Sequence, residues 1–174
     1  MNTFDTALAF VLQSEGGYVD DAHDPGGETN MGITDKRDGK TDGLIDVNGD
    51  GTGDIPVKDL TRDEAAQIYR REYWDRIAGD KLPADVALIA FDTAVNMGTH
   101  RAIEFLQSAS GVAADGSIGP VTIAAASKVG VLDKYAALRS EKYKALPTFP
   151  RYGKGWLRRL DACVALARKL HAPS

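Results

Sequence analysis

A chain of 174 residues, 43% of them apolar and with a net charge of −4, is long enough to bury a substantial core and short enough to form one domain. A single cysteine, Cys163, excludes a disulfide framework, and no apolar run approaches the length of a membrane span. Residues 1–60 carry 13 acids and 4 bases, a balance of −9, against +5 for residues 61–174, but the later bases alternate with acids as on solvated helix faces, so no nucleic-acid partner is expected.

The first element is a helix. Phe4, Leu8, Val11 and Leu12 recur on one face between Thr3 and Gln13, which places Glu15 in the last turn and lets Gly16 and Gly17 supply the left-handed stop. A helix C-terminus carries partial negative charge, a field that suits a carboxyl acting as a general acid. An ordinary solvated glutamate is the plain alternative. Asp5 replaces the basic start of a secretory signal, so synthesis in a host cytoplasm without a signal peptide is expected.

From Gly16 to Asp59 apolar periodicity fades and Gly and Asp dominate, which predicts a long active-site loop or small irregular lobe with short strands near Met31 to Thr34. Two chemical signals lie in it. In the first, Asp24-Pro25-Gly26-Gly27-Glu28-Thr29-Asn30 sets a tight turn that brings Asp24 or Thr29 opposite Glu15. Two carboxylates divide the labour of glycoside hydrolysis, one protonating the leaving oxygen and the other activating water or attacking the sugar. Asp20 and Asp21 compete with Asp24 for the second role, and a structural Asp24 bonding turn amides is equally compatible. The second signal is Asp46-Val47-Asn48-Gly49-Asp50-Gly51-Thr52-Gly53-Asp54, whose alternating oxygens and sixth-place glycine match the first half of a calcium loop. Asp46, Asn48, Asp50 and Asp54 are its ligand set. The twelfth place holds Val57 instead of a glutamate, so any calcium is structural, and no cofactor is required for hydrolysis.

The rest of the chain reads as helices. Thr61 and Glu64 form a capping box for a helix reaching about Ala78, Pro83 opens another, and Val86 to Met97 is apolar almost all round, with Asp92 and Asn96 as polar interruptions. Thr99 caps a helix that Gly111 stops, and further segments fall at 119–128, 131–145 and 153–171. In the last, Trp156, Leu160, Cys163, Val164 and Ala167 form a stripe that suits core packing better than a membrane surface. For substrate contacts, Tyr18, Tyr73 and Trp74 offer rings for sugar faces, Thr34 a hydroxyl, and Asn96 an amide for an N-acetyl group. Tyr73 and Trp74 point to different sides of one helix, so at most one lines a cleft.

The string Glu15-Gly16-Gly17-Tyr18, followed by Asp24-Pro25-Gly26-Gly27, Thr29 and Gly32-Ile33-Thr34, resembles the opening signature of the glycoside hydrolase family 108 muramidases. Tyr69 to Trp74 and the segment from Asp92 to Gly98 continue the likeness. Leu106-Gln107 and the run from Asp115 to Thr122 are similar to the peptidoglycan-binding portion that accompanies this catalytic region. The resemblance implies a mainly α, lysozyme-like fold in one compact unit, with residues 1–92 catalytic and 93–174 peptidoglycan-binding. It also implies a phage-type endolysin that cuts the β-1,4 bond between N-acetylmuramic acid and N-acetylglucosamine, with Glu15 as the acid. Phage-type lysozymes place a threonine fifteen residues after the acid. Here that place holds Asn30, which leaves Thr29 or Thr34 to position water. The expected partner is the peptidoglycan strand, reached in the periplasm as a monomer with help from a holin or secretion protein. The alternatives are a noncatalytic peptidoglycan-binding or secretion-assisting protein and a calcium-binding interaction module.

Overall fold

Helix α1 spans Thr3–Glu15 in the computed structural model, which describes residues 2–20 and 27–171. Its chain divides into two compact units, Leu8–Glu72 and Met1–Ala7 with Tyr73–Ser174, so α1 contributes to both.

The unit Leu8–Glu72 is built from two antiparallel hairpins and a short helix. Strands β1 (Thr29–Asn30) and β2 (Ile33–Thr34) pair Thr29 with Thr34 and Asn30 with Ile33. Met31, expected in a strand, is instead in the turn. It has φ 49° and Gly32 has φ 76°, and two left-handed central residues are what a tight two-residue hairpin needs to match strand twist. Strands β3 (Leu44–Ile45) and β4 (Ile55–Pro56) form the second hairpin, whose long connection is the Asp46–Asp54 loop. Asn30, buried, ties the hairpins together: its side-chain amide donates to the Val57 carbonyl at 3.0 Å. Leu8, Val11, Ile33, Ile45, Val57 and Ile68 fill the core.

Helix α2 (Arg62–Tyr69) starts at the expected capping box, with Thr61 N–H donating to Glu64 Oε2 at 2.8 Å and Glu64 N–H donating to Thr61 Oγ1 at 3.3 Å. It ends earlier than its pattern predicts. The backbone widens to π winding over Arg70–Trp74 and tightens to 3₁₀ winding over Asp75–Ile77. Ala78 at φ 55° completes the stop. Trp74, at the end of the widened turn, is buried beside the Phe4 and Phe91 rings.

The unit containing Tyr73–Ser174 is helical: α3 (Ala84–Met97), α4 (Thr99–Ser110), α5 (Pro120–Ala125), α6 (Val131–Lys144) and α7 (Phe149–His171). The central α3 is buried from Asp85 to Ala94 and packs against α4, α6 and α7. Gly98, at a positive φ of 90°, holds the N-cap place expected for Thr99, which begins the helix. Helix α7 starts four residues early because Gly153, read as punctuation, lies inside it: the Phe149 ring packs where a Cβ would stand. Leu160, Cys163 and Ala167 face the core, and burial pushes the Cys163 thiol above its ordinary range.

Asp92, fully buried in α3, gathers two arginines. Arg139 of α6 meets its Oδ2 at 2.6 Å, and Arg159 of α7 donates to Oδ1 from Nε at 3.0 Å and from Nη2 at 2.8 Å. Arg139 also donates to the Tyr143 hydroxyl, which donates to Asn96 Oδ1 at 2.8 Å. Burial alone would lower the Arg139 guanidinium, but the adjacent Asp92 carboxylate outweighs it and holds the group above the usual arginine value.

Candidate active site

Glu15 is the last residue of α1 and is half-buried, while Gly16, at φ 73°, takes the left-handed conformation that ends the helix. The tip of the β1–β2 hairpin lies against it. A Cβ added to Gly32 would stand 2.6 Å from the Tyr69 hydroxyl oxygen, 2.9 Å from Glu15 Oε2 and 3.0 Å from Glu15 Cβ. Only a glycine lets the turn backbone come this close, and its positive φ makes the same demand. Tyr69, 2% exposed, donates from its hydroxyl to the Met31 carbonyl at 2.8 Å. Three segments distant in sequence thus converge on one carboxylate.

Thr29 and Thr34 face each other across the hairpin, and strand alternation sets them on the face opposite buried Asn30 and Ile33. Thr29 also exchanges backbone bonds with Val19, at 2.7 and 2.8 Å, which fixes the segment leaving Glu15 to the hairpin edge. Tyr18 on that segment is 44% exposed, open enough to present a ring. Partial desolvation, the Glu28 and Asp20 carboxylates and a side-chain hydrogen bond with Glu28 push its hydroxyl above the usual value. Asn30, in the place of the phage-type threonine, spends its amide on the second hairpin. Asp24, the expected second carboxylate, lies outside the described residues, as does its competitor Asp21.

The aromatic pair separates. Tyr73 is half-buried, but Trp74 is 1% exposed, with the Phe4 and Phe91 rings edge-on at 5.3 and 5.5 Å and its indole N–H donating to Asp80 Oδ1 at 2.9 Å. Such an enclosed ring offers no face to a sugar, so Trp74 is a core residue. Asn96, expected within a buried helix, is exposed near the end of α3, where Tyr143 occupies one of its acceptor positions.

In the Asp46–Asp54 loop the carboxylates turn onto the backbone. Asp46 accepts from the Gly49 and Gly51 amides at 2.6 and 2.8 Å, and Asp54 accepts from Val47 and Asn48 at 2.8 and 3.2 Å. Arg71 adds a cation, donating from Nη1 to the Val47 carbonyl, with its guanidinium packed beside Gly49. Desolvation would raise the Asp46 carboxyl, but the Gly51, Gly49 and Asp50 amides together with Arg71 hold it below the usual carboxylate value. Among the described residues no group of three or more His, Cys, Asp or Glu side chains is placed to hold a metal ion. Of the residues read from spacing as ligands, Asp46 and Asp54 accept from backbone amides, and Arg71 lies beside them.

The 107–122 segment has a similar internal economy. Gln107, 2% exposed, donates to Asp115 Oδ1 at 2.7 Å and to the Ser117 carbonyl at 3.0 Å, and accepts from Gly116 N–H at 2.9 Å. The motif residues brace their own loop.

Sequence reading missed the site roles of Gly32 and Tyr69. The available signals were a glycine in a two-residue turn and a tyrosine on the buried face of α2 beside Ile68. Neither reveals which carboxylate it meets, because that contact spans more than thirty residues.

The mainly helical chain, with a helix-terminal glutamate beside a small β-hairpin, has a lysozyme-like fold, and comparison with known proteins places it in the glycoside hydrolase class. Residues 8–98 match the glycosyl hydrolase 108 family, and the chain is a member of it. Among solved structures it is similar to SagA of Brucella abortus, with 37% identity, a TM-score of 0.80, and coverage of 99% of this chain and 97% of that one. No curated protein matches. Membership makes the chain a glycoside hydrolase of the peptidoglycan-degrading kind. No helix among the described residues is long and apolar enough to cross a membrane.

Proposed function

We propose that the protein is an N-acetylmuramidase that cleaves the β-1,4 bond between N-acetylmuramic acid and N-acetylglucosamine, with Glu15 as the general acid. The observation that carries this reading is the Glu15 carboxyl at the end of α1, half-buried and bounded by the hairpin tip. A carboxyl so bordered donates its proton to the glycosidic oxygen as the bond breaks, and positive charge then grows on the sugar ring. Asp24, nine residues on, is the second carboxylate in this reading. It stabilises that charge or activates water, and Thr29 or Thr34 orients the water. Tyr18 and Tyr73 supply stacking surfaces, and the Asn96 side-chain N–H₂ remains to bond an N-acetyl oxygen.

Purified protein incubated with cell-wall sacculi tests this. Reducing ends are expected to appear, and mass analysis should find muramic acid at them. Glu15→Gln, nearly isosteric but unable to donate an acidic proton, is expected to abolish release while still binding sacculi. Full activity in that variant removes Glu15 as the acid, and fragments with reducing glucosamine ends assign a different bond.

A further inference from the structure

We propose that Tyr69 is a positioning residue for Glu15: anchored beneath the β1–β2 turn, its hydroxyl fixes the Gly32 backbone as the wall that holds the acid's carboxyl in place. The inference rests on the reading of Glu15 as the acid. Tyr69 is 2% exposed, so its hydroxyl needs an internal partner, and the Met31 carbonyl at 2.8 Å is one. Met31 is also one of only two non-glycine residues with positive φ among those described, a conformation that persists when its surroundings hold it. The phenol is such a restraint, since it clamps the residue immediately before Gly32. Gly32 in turn abuts both the Tyr69 hydroxyl and the Glu15 carboxylate, so a shift of the tip is passed on to the acid.

Proton donation depends on placement, and an error of about 1 Å in a reacting group costs on the order of 100-fold in rate. Tyr69→Phe keeps the ring in the core but releases the Met31 carbonyl. It is expected to lower kcat about tenfold or more, to leave KM within about twofold, and to shift the alkaline limb of the pH–rate profile, where the general acid loses its proton. Gly32→Ala, strained by its φ of 76° and crowded by both side chains, is expected to act in the same direction. The double variant should lose less than the product of the two, because both act through one contact. Tyr135→Phe is the control. It removes a comparable buried bond, from the Tyr135 hydroxyl to the Ala102 carbonyl at 3.0 Å, in the other unit. Its expected effect is on thermal stability, with kcat unchanged below the transition.

Folded Tyr69→Phe with kcat within about twofold of wild type and the same pH profile overturns the proposal. If the wild-type protein releases no reducing ends, the muramidase reading fails, and the positioning role is decided separately by the ¹³C resonance of the Glu15 carboxyl. That resonance should move in Tyr69→Phe and Gly32→Ala but not in Tyr135→Phe. A resonance unmoved in the first two also overturns the proposal.

Discussion

Trp74 is the largest of the fully buried side chains, and its surroundings leave little room for a substitute: Phe4 and Phe91 close on the ring, Asp80 takes the indole proton, and Gly79 packs where a Cβ would strike the ring. Trp74→Ala is expected to cost about 3–5 kcal/mol, read as a lowered denaturant midpoint with an unchanged slope. Trp74→Phe should cost less and leave KM for wall fragments unaltered. Tyr73→Ala, at the half-buried neighbour, should raise KM with a smaller loss of stability. A rise in KM in Trp74→Phe alone would return the ring to substrate binding. Helical spacing made it legible that these two aromatics diverge. It did not say which one goes inward, because that depends on Phe4 and Phe91, brought in from elsewhere in the chain. The place of Glu15 at the end of α1 was legible for the opposite reason, since the apolar face of α1 and the glycine after it are both local signals.

At the level of elements the same boundary between local and distant recurs. The Thr61–Glu64 capping box follows from residues three apart and is present as read. The continuation to about Ala78 keeps helical winding but not α geometry: it widens to π over Arg70–Trp74 and tightens to 3₁₀ over Asp75–Ile77, a change that no local stop signal marks. In the Asp46–Asp54 loop Asp46 accepts from the Gly49 and Gly51 amides, and Arg71, from α2's continuation, donates to the Val47 carbonyl. Since Asp46 is held below its unfolded value, its contribution is fully present above the unfolded aspartate range, about 3.9, and is lost as pH falls through the lower folded value. Acid titration followed by amide exchange at Gly49 and Gly51 should therefore show the loop opening below about pH 4, and Asp46→Asn should remove that step. Calcium addition or chelation at neutral pH, followed through Tm, tests the calcium reading of this loop, and an unchanged Tm rejects specific binding. A calcium-dependent rise in Tm that disappears in Asp46→Ala would show that metal displaces the amide bonds.

Across the whole chain, the helical character and the early irregular lobe were legible in composition and periodicity, whereas the buried ionic centre of the helical unit was not. Asp92 appeared only as a polar interruption in an apolar run, and Arg139 and Arg159 only as charges on amphipathic helices. Their meeting links α3, α6 and α7, and three segments so far apart leave no pairwise pattern in sequence. A carboxylate between two guanidiniums loses hydration that its partners must replace, so removing it strands Arg139, which is fully buried, more severely than Arg159, whose side chain is 16% exposed. Asp92→Ala is accordingly expected to cost about 3–5 kcal/mol, and Arg159→Ala less. The double replacement Asp92→Leu with Arg139→Met exchanges the buried pair for apolar groups of similar size and leaves Arg159 able to turn to water. It should recover most of the loss measured for Asp92→Ala in urea unfolding. If the double variant is as unstable as Asp92→Ala, the centre acts through specific hydrogen bonds to Tyr143 and Arg159, and not chiefly by neutralising a buried cation.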